Sequence, residues 1–116
     1  MVEKLSNRAY QYSIKAIRFI DGLSKDNSTS IMSRQVLRSA TSIGANIVEA
    51  KAARTRRDYT NFYNHALKSA NETVYWLSLL KEAKGINNSQ IDELLDETKQ
   101  LGRILGSSIL TLKDKF

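Results

Sequence analysis

The chain predicts an all-α protein, an antiparallel up-and-down four-helix bundle formed as one domain over residues 1–116. Three observations carry that expectation. There is no proline, so nothing removes a backbone donor or clashes with the preceding turn, and helices can run long. Four stretches place apolar residues at spacings of three and four, the period that gathers them on one helical face. Between them lie short segments of Ser, Asn, Asp and Gly, residues that favour turns over helix interiors. Amphipathic helices on short loops bury their stripes most simply by packing against their sequence neighbours.

The first helix is expected from about Leu5 to Leu23, with Leu5, Ala9, Tyr12, Ala16, Phe19, Ile20 and Leu23 inward. Ser24 to Ser30 reads as a loop. A second helix starts between Ser28 and Ser33, carries Val36, Leu37, Ala40, Ile43, Ile47 and Ala50, and ends near Ala53-Arg54-Thr55. Thr55-Arg56-Arg57-Asp58 resembles a capping box, with aspartate in place of the longer glutamate the motif prefers. The third helix, from about Arg56 to Ala83, buries Tyr59, Phe62, Tyr63, Ala66, Ala70, Val74, Leu77 and Leu80. Tyr75, Trp76 and Leu79 lie off that stripe, so this helix is either central or turned toward a partner subunit. Ser89 is expected to cap the fourth helix, whose seam runs from Ile91 through Leu94, Leu95, Thr98, Leu101, Leu105 and Ile109 to Leu112. Lys113 and Lys115 at its end suit the helix dipole. Gly22 and Gly85 stand where left-handed caps would use them.

Several function classes are disfavoured. The absence of cysteine excludes disulfides and thiolate metal sites. No apolar run approaches the roughly 18 residues of a membrane span, and the N-terminus lacks a secretory signal, so a cytoplasmic protein without membrane partners is expected. His65 is the single histidine, with Asn61, Asn64, Lys68 and Ser69 as local neighbours and no acid to orient it. No Glu-x-x-His pair exists for a carboxylate-bridged metal centre, and no phosphate-binding Gly-x-x-x-x-Gly-Lys loop occurs. Neither enzyme nor cofactor is expected.

Charge is more informative. The chain carries a formal +6, and most of the excess lies in residues 34–57, where Arg34, Arg38, Lys51, Arg54, Arg56 and Arg57 face Glu49 alone. Such a cluster suits a polyanion, an anionic membrane or an acidic partner, or simply a solvated surface. These six are the candidate nucleic-acid contacts, because guanidinium forks match phosphate oxygens. Tyr59 and Tyr63 would stack on bases if exposed; Tyr59 is expected in the core. Within the second helix, Ser42, Asn46 and Glu49 recur at four and three and share a face. That spacing fits a buried polar network fixing helix register, with Arg38 available as partner, or a binding stripe. Extra apolar positions on helices two to four favour self-association.

Leu37-Arg38-Ser39-Ala40-Thr41-Ser42-Ile43-Gly44-Ala45-Asn46-Ile47-Val48-Glu49-Ala50 resembles the central signature of the bacterial four helix bundle protein family. That family includes proteins encoded in 23S rRNA intervening sequences. Asp58-Tyr59 with Phe62, and Ala70-x-Glu72 leading into Trp76-Leu77, continue the resemblance over nearly the whole chain. Gly44 departs from it, since many members carry proline there. The chain is also similar to the accessory variability proteins of diversity-generating retroelements. The resemblance implies a bundle that assembles as a homopentameric ring, with Asn46 and Glu49 in the family's polar positions. The retroelement relatives imply a basic surface binding a reverse transcriptase and its RNA or DNA. The function expected is therefore a non-catalytic oligomeric nucleic-acid-binding scaffold; the alternative is a protein–protein interaction module with no nucleic-acid role.

Overall fold

Capping chemistry, more than the apolar pattern, decides where the helices of this chain begin and end. In the computed structural model, which describes residues 2–114, the elements are α1 (Val2–Asp21), α2 (Asn27–Lys51), α3 (Arg56–Ala83) and α4 (Ser89–Asp114). Lys115 lies outside the described residues.

The expected loop at Ser24–Ser30 is shorter than its composition indicates. Asp26 is the N-cap of α2, its carboxylate accepting from the Thr29 amide at 3.4 Å, and Asn27–Ser30 are helical. A polar stretch reads as loop until one of its members caps, and then the rest becomes the first turn. At α3 the Thr55 hydroxyl accepts from the Asp58 amide at 3.1 Å, the cap the sequence indicates. At α4 the cap moves one residue back: Asn88 Oδ1 accepts from the Ile91 amide at 3.0 Å, and Ser89 is already helical. Gly85 follows α3 at φ +65°, the one positive φ among the described residues. Gly22 therefore does not take the left-handed form; α1 unwinds through right-handed turns, Gly22 N–H to Phe19 O at 3.2 Å and Leu23 N–H to Ile20 O at 3.0 Å.

Side-chain pairings give the helix directions. Gly44 sits against Ala9, Arg38 and Ser39 meet Glu72 and Thr73, and Gly102 sits against Leu67 and Ala70. Ion pairs at Lys84–Asp26 and Lys81–Asp92 join helix ends. Index rises on one helix as it falls on the next, so consecutive helices run antiparallel, in a body of 47 × 21 × 21 Å. One end gathers the α2–α3 corner with the start of α1 and the end of α4.

The core follows the expected stripes in part, with Ile20, Leu23, Phe62, Val74, Leu95 and Leu112 only half-buried. Leu5, Ala9, Tyr12, Ala16 and Phe19 of α1 meet Val36, Ala40, Ile43, Ile47 and Ala50 of α2. Tyr63, Ala66, Ala70, Leu77 and Leu80 of α3 meet Ile91, Leu94, Leu101, Leu105 and Ile109 of α4. Leu37, expected inward, is exposed, and its place is taken by buried Ser39 and Ala40. Tyr63 is buried while Tyr59 is only half-buried. Helix α3 is not surrounded: Tyr75 is exposed and Trp76 half-buried. A Cβ on Gly44 would stand 3.4 Å from the Ala9 Cβ, so α1 and α2 approach closely there. Two hydroxyl pairs tie helices through the core, Tyr12 to Thr98 at 2.5 Å and Ser39 to Thr73 at 2.7 Å. Arg8 forks onto Glu97 with both contacts at 2.7 Å and also reaches Gln100, clamping α1 to α4.

Candidate nucleic-acid interface

The six basic residues that lie close in sequence separate in space. Arg34 and Arg38 stand on the outer face of α2, roughly 20–25 Å from Lys51 at 1.5 Å rise per residue. Arg38 is engaged there: its guanidinium pairs with Glu72 of α3 and also donates to Gln35 at 2.9 Å. Glu72 accepts in addition from Trp76 Nε1 at 3.0 Å. Arg38 thus ties α2 to α3 and does not serve Asn46 or Glu49, as the sequence had made possible. Lys51, Arg54, Arg56 and Arg57 do come together, all exposed, because the tight α2–α3 connection places them at one end of the bundle. The antiparallel return of α4 adds Lys113 to this end. No local signal marks that lysine, since its neighbours on α3 lie some fifty residues earlier.

The two ends differ electrostatically. At the far end Lys81 pairs with Asp92 at 2.5 Å, and Lys84 with Asp26 at 2.9 Å. The Lys84 ammonium, with the Ser24 and Thr29 contacts, holds the Asp26 carboxyl well below the ordinary carboxylate range. At the basic end Lys51, Arg54, Arg57 and Lys113 make no ion pair among the described residues. Lys81 and Lys84 are thus ion-paired at one end, while Lys51, Arg54, Arg57 and Lys113 stand without such a pair among the described residues at the other.

The polar motif of α2 is not a buried network between helices. Asn46 is half-buried and donates within its own helix, to Ser42 O at 2.8 Å and Ser42 Oγ at 3.2 Å. Glu49 is exposed. Thr41, Ala45, Val48 and Glu49 of α2 and Ser6, Tyr10 and Ser13 of α1 border an open groove of about 670 Å³ floored by Gly44. The buried polar contacts sit one face away, at Ser39–Thr73 and Tyr12–Thr98. Burial pushes the Tyr12 phenol up to about 12. Tyr59 and Tyr63 stack on each other, with ring centroids 4.8 Å apart and hydroxyls at 3.1 Å. Neither therefore offers a free ring beside Arg56 and Arg57. Burial raises the Tyr63 phenol, and the Tyr59 hydroxyl raises it further.

His65 is exposed on α3. Among the described residues no three His, Cys, Asp or Glu side chains gather as a metal-binding group, and no helix is long and apolar enough to cross a membrane.

Comparison with known proteins places this architecture. A crystal structure of a protein of unknown function from the S23 ribosomal protein family, from Bacteroides thetaiotaomicron, is similar at 36% sequence identity and a TM-score of 0.83. The similarity covers 90% of this chain and 97% of that one. No curated protein matches the chain. Residues 4–107 match the model of the 23S rRNA-intervening sequence protein, a span that contains α2, with its signature, and α3 whole, and most of α1 and α4. The chain belongs to the 23S rRNA-intervening sequence protein family.

Proposed function

We propose that this chain is a non-catalytic cytoplasmic scaffold that assembles with copies of itself and binds nucleic acid through the basic end of the bundle. The observation that carries the reading is the exposure of Lys51, Arg54, Arg56 and Arg57 together at one end, joined by Lys113. Exposed cations of this kind release counterions when they meet phosphates, which drives sequence-tolerant, salt-sensitive binding. Self-assembly is supported by the opposite chemistry on the α1–α2 face, where Tyr10, Ile17 and Val48 are exposed around the small residues Gly44 and Ala45. In a pentameric ring the +6 of each chain would be repeated five times, deepening the field a polyanion meets. In its most specific form the proposal makes the chain an accessory subunit of a diversity-generating retroelement reverse transcriptase.

Fluorescence anisotropy with labelled RNA and DNA tests the nucleic-acid part. Affinity should fall by orders of magnitude between about 50 and 200 mM salt, and R54E/R56E/R57E should abolish binding with helicity intact. Affinity that is absent at low salt, or indifferent to salt, refutes it and leaves the protein-only module, which the exposed apolar face favours. Light scattering tests assembly: V48D should lower the mass of a multimer to that of the monomer.

A further inference from the structure

The α3–α4 face carries a feature the basic end does not explain. Along α3, Arg57, Asn61, Asn64, Lys68, Asn71 and Tyr75 follow one another at spacings of four, three, four, three and four. They therefore form one continuous edge, about 27 Å long at 1.5 Å rise per residue. All are exposed or half-buried. None of the three asparagine amides has a hydrogen-bond partner among the described residues, although each offers two donors and an acceptor. Across the seam α4 sets Lys99, Arg103 and Lys113 beside this edge. Two open grooves of about 430 and 420 Å³ lie along the seam, one at Asn61 and Asn64, the other at Asn71. Among the described residues no carboxylate lines either groove. Gly102 forms part of the second groove's wall.

We infer that this seam is a track for single-stranded nucleic acid, running from the basic end up the α3–α4 face. The inference deepens the proposed function and rests on it. The cations of α3 and α4 flank the seam, where they would follow a phosphate backbone, while the asparagines meet base edges, for which an amide is a matched donor–acceptor. Tyr75, 60% exposed although its ring meets Trp76 edge-on at 5.1 Å, and Leu110, 64% exposed, supply aromatic and apolar surface on which unstacked bases rest. A duplex does not use such a surface well: its base edges are paired, and the major groove of an RNA helix is too deep and narrow to admit side chains.

The test is anisotropy titration of a labelled single-stranded RNA of about 12 nucleotides, within the range such grooves occupy, against a duplex of the same sequence. Wild-type protein should prefer the single strand. N61A/N64A/N71A should weaken single-strand binding roughly tenfold with the salt slope unchanged, since amides release no counterions. K99A/R103A should instead reduce the slope by about 0.7 for each phosphate left without its cation. Alanine is the better helix former, so thermal unfolding should show the asparagine variant intact. Equal affinity for duplex and single strand, or an asparagine variant that binds like wild type, overturns the track while leaving binding at the basic end in place. Wild-type protein that binds neither probe removes the proposed function as well.

Discussion

The hydrogen bond between Tyr12 and Thr98 makes a sharp prediction because its protons can be counted. Thr98 Oγ1 has one proton and lies 2.5 Å from the Leu94 carbonyl of its own helix, an oxygen that can only accept. Tyr12 must then be the donor in the 2.5 Å contact with Thr98. Tyr12 is 1% exposed and Thr98 fully buried, so water cannot substitute for either. Removing the donor with Y12F leaves Thr98 still bonded to Leu94 and should cost about 1 kcal/mol, an ordinary net hydrogen bond. T98V strands a buried hydroxyl with no acceptor, and should cost about 2–3 kcal/mol. The double variant Y12F/T98V removes both polar groups and should lose no more than about 1 kcal/mol, a coupling of at least about 2–3 kcal/mol. Urea unfolding followed by Trp76 fluorescence and circular dichroism measures all four corners, at one protein concentration because assembly would add to apparent stability. Additive losses would refute the donor assignment. A pH arm follows. The folded Tyr12 phenol is raised from 10.0 to about 12, so the folded state holds that proton more tightly than the unfolded one. Its stabilisation is complete below pH 10 and is lost as pH rises toward 12. Y12F should flatten that decline in part, with the remainder belonging to the likewise raised Tyr63.

Two further predictions concern the connections. Gly85 sits at φ +65° with nothing within 4 Å of a built Cβ, so G85A meets no clash but forces alanine into the left-handed region. It should lose about 1–2 kcal/mol in urea unfolding, and an unchanged midpoint would contradict the cap. Asp26 both caps α2 and pairs with Lys84, and its folded carboxyl is held below the ordinary 3.8. Its contribution is present above that value and lost as pH falls through the folded one. D26N keeps a capping side chain but loses the charge, so it should melt below wild type at pH 7, with the gap closing in strong acid. A gap independent of pH would show that charge plays no part.

Much of the fold was legible because helix periodicity is a local property. The stripes of α1 and α4 and the Thr55 cap could be read from neighbours a few residues apart. The misreadings have local causes too. Asp26 lay inside a polar run read as loop and Asn88 adjoined Ser89, and composition does not say which side chain reaches the amide three residues on. Leu37 looked like core because it precedes Ala40 at helical spacing, but burying Val36, Ala40, Ile43 and Ile47 leaves Leu37 facing outward. The polar trio Ser42, Asn46 and Glu49 was recognisable as one face, yet whether that face is covered depends on α1, which bridges only its edge.

By itself the sequence determined four proline-free amphipathic helices, their order and the basic composition of the α2–α3 corner, since each follows from residues within a few turns of one another. Only the tertiary structure decided which charges become neighbours. Antiparallel packing locks Arg38 onto Glu72 and brings Lys113, Arg103 and Lys99 alongside the asparagine edge of α3. The physical reason is that apolar burial sets the rotation of each helix about its axis. The polar side chains then stand wherever that rotation leaves them, beside partners tens of residues distant along the chain.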